Sequence, residues 1–131
     1  MIVDSSVLVS IILGELDSIE YSKALDAASR LSISAATFLE ISIVIDRRKN
    51  ATYSNRIEEL IKRFKITIEP VTAEQARIAR QAYRDYGRGS GHKANLNFGD
   101  CFSYALARVM REPLLFKGDD FVHTDLKSAL I

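Results

Sequence analysis

MIVDSSVLVSIIL, residues Met1 to Leu13, sets the fold class of this chain. Met1–Asp4 is a short apolar run ending in a carboxylate, the pattern of a strand buried in a parallel sheet. Ser5–Leu13 follows at once as a helix, and Gly14 separates it from a second helix over Ser18–Ser29 with apolar residues at Ile19, Leu25 and Ala28. Leu31–Ser34 predicts the next strand. Ser34 is placed to cap a helix over Ala35–Lys49, which is apolar almost all round and so is expected to lie sandwiched inside the fold. Ser54–Phe64 is amphipathic through Ile57, Leu60, Ile61 and Phe64, and Ile66–Val71 predicts a third strand. Thr72 caps a helix running to Tyr86, with Glu74 and Gln75 in its first turn. Gly87–Asn97 (GRGSGHKANLN) is expected to be a mobile loop, and Asn97 caps a helix to about Arg111. Pro113 ends that helix, Leu114–Lys117 predicts a fourth strand, and Gly118–Asp120 turns out of it. Strands alternating with helices give an α/β fold built on a parallel sheet of about four to five strands.

Composition narrows the class further. The chain has 131 residues, 47% hydrophobic and 27% charged, which suits a single domain spanning 1–131. No apolar stretch approaches the roughly 18–20 residues of a membrane span. Asp4 and Glu15 interrupt the start, and no basic segment precedes them, so a signal peptide is not expected. One cysteine, Cys101, cannot form an internal disulfide, which points to a reducing cytoplasm. The net charge of +1 hides an asymmetry: residues 1–46 carry two bases and seven acids, whereas residues 47–93 carry twelve bases and five acids. An acidic first part beside a basic middle suggests a charged site next to a polyanion-binding surface.

In an open parallel sheet, ligands bind outside the carboxyl ends of the strands. Asp4 ends the first predicted strand, and Asp119 and Asp120 follow the last. Asp100 lies in the first turn of one helix and Glu40 in the second turn of the very apolar one. Each acid except Glu40 also has a structural use: Asp4 as an N-cap, Asp100 at N3, Asp119 and Asp120 as turn residues. Glu40 has none, being flanked by Phe38, Leu39, Ile41, Ile43, Val44 and Ile45 with no base within a turn. A buried carboxylate requires a partner or a metal. Clustered acids without an intervening lysine suit Mg²⁺, with Mn²⁺ as substitute, whereas Cys101, His92 and His123 offer no zinc spacing.

Arg77, Arg80, Arg84 and Arg88 recur at helical spacing and lead into Lys93 on the glycine-rich loop, a candidate phosphate-binding stripe. Its opposite, core-facing side is expected to carry Ala76, Ala79, Ala82 or Tyr83, and Tyr86. Gly87, Gly89 and Gly91 follow a helix rather than a strand, so they are not a dinucleotide fingerprint.

Three stretches together, MIVDSSVLVSIIL, LNFGDCFSYALA and PLLFKGDDF, resemble the PIN-domain nucleases, and more narrowly the VapC toxins of toxin–antitoxin pairs. The resemblance spans Met1 to Phe121 and implies a PIN-like three-layer domain. It carries over Asp4, Glu40 and Asp100 as metal-holding catalytic acids, with Ser5 and Ser6 in support. Many members have Thr-x-Asp-x-x-Phe at the fourth position, where this chain has Phe116 and Gly118 counted back from Phe121. The carboxylates here fall one and two residues later, so Asp119 is the first choice for the fourth acid and Asp120 the alternative. The resemblance implies a metal-dependent endoribonuclease acting on structured RNA such as transfer or ribosomal RNA, silenced by a cognate antitoxin and homodimeric. A haloacid-dehalogenase-like phosphatase would want an acid where Ser6 stands, and a receiver domain would want paired acids at the first strand. A non-catalytic RNA- or partner-binding domain of the same fold is the other alternative.

Overall fold

The computed structural model describes residues 1–130. Its elements run β1 (Ile2–Val3), α1 (Ser5–Leu13), α2 (Ser18–Ala27), β2 (Leu31–Ser34), α3 (Ala35–Asp46), α4 (Ala51–Arg63), β3 (Ile66–Glu69), α5 (Ala73–Tyr86), α6 (Asp100–Met110) and β4 (Leu114–Leu115). The strands form one parallel sheet in the order β3-β2-β1-β4. Successive strand residues point to opposite faces. Val3 and Leu115 join Leu31, Ile33 and Ile66 in a core with α1 to α4, while Ile2 and Leu114 join a second core with α5 and α6. Helices on both faces of the sheet make the expected three layers.

The chain runs outward from β1 through β2 to β3, then crosses back to put β4 on the other side of β1. A crevice opens at such a reversal, outside the carboxyl ends of the strands. Backbone bonds fix both walls of it: Ile2 N–H donates to the Pro113 carbonyl at 2.9 Å and Asp4 N–H to that of Leu115 at 3.0 Å.

Several boundaries differ from the sequence expectation for local reasons. Helix α3 stops at Asp46, and Lys49 adopts φ 53°, which breaks the run expected to reach that residue. Asn50 caps α4 by accepting the Tyr53 N–H at 3.2 Å, starting that helix at Ala51 rather than Ser54. Helix α3 is not sandwiched: Thr37, Ile41 and Ile45 are buried, but Leu39 (58% exposed), Ile43 (49%) and Val44 (44%) face solvent. Among the described residues it packs on one side, and its apolar outer face lies open beside Phe98 and Phe102.

The 87–97 loop is closed at its base. Arg88 N–H donates to the Leu96 carbonyl and Leu96 N–H to that of Tyr86, both at 2.9 Å. Ala94 and Leu96 are buried beneath it, and His92 Nδ1 accepts the Ala94 N–H at 3.0 Å. Only its tip projects.

Candidate active site

Asp4 caps α1 and also stands among the clustered acids. Its carboxylate is only 5% exposed and follows β1, where Oδ2 accepts the Ser6 N–H at 3.1 Å and the Ser6 hydroxyl at 2.7 Å. Oδ1 accepts the Ser103 hydroxyl from α6 at 2.6 Å. The Ser6 hydroxyl in turn accepts the Lys117 N–H at 2.9 Å, joining the segment after β4 to Asp4.

Asp100 likewise combines a capping bond with a place among the acids. It opens α6, 8% exposed, in a reciprocal cap with Asn97: Asp100 N–H donates to Asn97 Oδ1 at 2.9 Å, and Asn97 N–H to Asp100 Oδ2 at 3.0 Å. Glu40 projects from α3, half-buried, with Oε1 accepting the Ser5 hydroxyl at 3.0 Å. Its carboxylate lies over the backbone of Gly99, at the place a Cβ would fill. Glycine at 99 therefore provides room for Glu40 beside Asp100. The sequence reading did not single out Gly99, Ser103 or Thr37.

These acids feel one another. Burial pushes the Asp100 carboxyl up to about 7, with repulsion from Asp4, Asp120 and Glu40 adding to it and the Asn97 N–H opposing it. Burial also raises Glu40, which Asp4 repels and Ser5 steadies. Asp120 is raised by burial and by Asp4, while Arg88 draws it down. Asp120 is thus the turn carboxylate whose field reaches Asp100. Both turn acids are exposed, and the charge of Asp119 is felt at Asp120.

No lysine enters this cluster from β4. The Lys117 ammonium instead turns to Glu15 at 2.7 Å and Asp17 at 3.0 Å. The donors available for a cation are therefore hard, anionic oxygens. Among the described residues no three such side chains close into a ready ligand shell. That is compatible with Mg²⁺, which keeps several waters and takes one or two carboxylates together with substrate phosphate. The charge and donor chemistry fit a divalent ion, since like charges this close are otherwise held by protons.

Arg77, Arg80, Arg84, Arg88 and Lys93 are all exposed, and Arg88 brings the stripe to the edge of the acids. The inner face of α5 is partly different from the expectation. Gln75 and Ala82 are buried, with Gln75 Nε2 donating to the Pro70 carbonyl at 3.2 Å, whereas Ala76 and Tyr83 are exposed. Tyr83 and Ala76 line a shallow apolar groove with Phe98, Cys101 and Phe102.

The PIN domain family profile matches residues 1–127. The chain belongs to the PIN-domain family. Within it, this PIN-domain chain is 52% identical over 130 residues to ribonuclease VapC28 of Mycobacterium tuberculosis, covering 99% of the chain and 98% of that relative. Its fold matches the crystal structure of M. tuberculosis VapC20, a sarcin-ricin-loop-cleaving toxin, with TM-score 0.73, 17% identity and 95% coverage of both chains. A toxin–antitoxin complex from Klebsiella pneumoniae matches with TM-score 0.71 and 18% identity, over 95% of this chain and 92% of that one. The VapC ribonucleases are its kin within the family.

Proposed function

We propose that the chain is a divalent-metal-dependent endoribonuclease, the toxin of a toxin–antitoxin pair, acting as one nuclease domain over residues 1–131. The observation that carries this reading is the convergence of buried Asp4 and Asp100 with half-buried Glu40 and the exposed turn acid Asp120 at the carboxyl edge of the sheet, with Asp100 raised to about 7. Kinship to proteins named ribonucleases supports RNA as the substrate, and structured RNA such as transfer or ribosomal RNA is the class proposed.

Asp4, Asp100 and Asp120 would hold Mg²⁺ or Mn²⁺, which supplies charge stabilisation to the phosphate oxygens as the phosphodiester breaks. Asp119 lies one residue away on the same turn. Among the described residues no donor reaches Glu40 Oε2 while Ser5 holds Oε1, so Oε2 would be the atom to accept a proton. Arg77, Arg80, Arg84, Arg88 and Lys93 would hold successive phosphates without reading bases.

The exposed Leu39, Ile43 and Val44, with Phe98 and Phe102 beside them, support docking of an antitoxin helix whose basic residues would face the carboxylates. Family kinship supports a homodimer acting in the cytoplasm. Among the described residues no helix is long and apolar enough to cross a membrane.

Cleavage of structured RNA in Mg²⁺ or Mn²⁺, abolished by EDTA and by Asp4→Asn, is the expected result. RNA binding without cleavage in either metal would instead leave a non-catalytic binding domain. Co-expression with a neighbouring small reading frame tests the toxin assignment, which fails if no complex forms and cleavage persists.

A further inference from the structure

Ser103 is fully buried in α6 and donates to Asp4 Oδ1 at 2.6 Å. Its oxygen also lies 3.3 Å from the Thr37 hydroxyl of α3, itself 1% exposed. A hydroxyl has one proton. Ser103 commits its proton to Asp4, so Thr37 is the donor to Ser103. The polarity of the chain is therefore fixed as Thr37 to Ser103 to Asp4. On the other side, Lys117 N–H donates to the Ser6 hydroxyl, which donates to Asp4 Oδ2.

These bonds connect the segments that carry the acids: α3 carries Glu40, α6 carries Asp100, β1 leads to Asp4, and the chain after β4 leads to Asp120. A carboxylate has about four lone-pair sites. Asp4 Oδ2 has both of its sites taken by Ser6, and Oδ1 has one taken by Ser103. One site remains, on Oδ1, beside the Ser103 hydroxyl.

We propose that Ser103, backed by Thr37, is a positioning residue that sets the plane of the Asp4 carboxylate, so that Asp4 offers a single oxygen to one divalent ion. This assignment rests on the nuclease reading above. Residues behind a metal ligand orient it and tune its affinity.

The test uses the full chain, with Mn²⁺ alone as probe and free Mn²⁺ followed by electron paramagnetic resonance. Ser103→Ala is expected to weaken Mn²⁺ binding about tenfold and to lower kcat for RNA cleavage with KM unchanged. Thr37→Val is expected to lose about threefold in Mn²⁺ affinity, and the double variant no more than Ser103→Ala alone. Should Ser103→Ala not fold, Ser103→Cys keeps the volume, weakens the donor and carries the same comparison. Mn²⁺ affinity in Ser103→Ala within twofold of an intact protein that binds Mn²⁺ overturns this assignment and leaves the nuclease reading standing. Additive losses in the double variant overturn the relay from Thr37. If the unaltered chain neither binds Mn²⁺ nor cleaves RNA, both readings fall together.

Discussion

Asn97 and Asp100 cap each other: each backbone N–H donates to the other's side chain, at 3.0 and 2.9 Å. The bond to Asp100 Oδ2 favours the charged carboxylate, yet burial and three acidic neighbours outweigh it and hold the group at about 7. Among the described residues no donor reaches Asp100 Oδ1, which on the proposed reading would be the oxygen offered to a cation.

The sign of the resulting pH dependence is opposite to that of a salt-bridged carboxylate. An aspartate titrates near 3.9 when unfolded, so between about pH 4 and pH 7 the folded metal-free chain binds the extra proton. Its stability then falls as pH rises through that window. Glu40 and Asp120 shift in the same direction. Glu112 and Asp17 are lowered, and their contribution is lost only at more acid pH. Urea unfolding in EDTA should give higher stability at pH 5 than at pH 7.5, and Asp100→Asn should flatten the difference. Adding Mg²⁺ at pH 7.5 should restore stability, because a bound ion stabilises the form that holds it.

The two turn acids should separate in activity. Asp120 exchanges field with both Asp4 and Asp100, so Asp120→Asn is expected to lose more cleavage and more Mn²⁺ affinity than Asp119→Asn. Equal losses, or a larger one in Asp119→Asn, would return the fourth position to Asp119.

Gly99 divides function from stability. Its backbone is right-handed helical at φ −63° and ψ −39°, so alanine suits the conformation, but the new methyl would land on the Glu40 carboxylate. Gly99→Ala should keep its melting temperature within about 2 °C while cleavage falls at least about tenfold, because the flexible carboxylate is what moves. A fall in stability with activity intact would show that Glu40 is not needed where it lies.

Arg84→Ala with Arg88→Ala should weaken RNA binding and flatten the slope of log affinity against log salt by about 1–2. Mn²⁺ affinity should change little, since Arg88 touches the site only by its field on Asp120. An unaltered slope would mark the stripe as a solvated helix face.

Most of the fold was legible because each element carries its own period and stop. Asp4, Ser34 and Thr72 each accept a backbone N–H of the following helix, as their residue types and positions suggested. The outer face of α3 was not legible: hydrophobicity at Leu39, Ile43 and Val44 has the same signature whether the covering surface is in the chain or elsewhere. Ser103 and Thr37 had a signal that went unused. Each lies three residues from a site acid on the same helix, Asp100 and Glu40, and so shares its face. Gly99 had no such signal, because a close approach between α3 and the start of α6 is a property of packing.

The closed base of the 87–97 loop has an evolutionary consequence. With Gly87 bridged to Leu96 and the Leu96 N–H bonded to the Tyr86 carbonyl, the exposed tip can vary without loosening its base. On the proposed nuclease reading, changes in its length and charge would alter the RNA shapes admitted while the carboxylates keep their frame. Substrate preference and chemistry would then evolve on separate schedules, one at the rim and one at the end of β1.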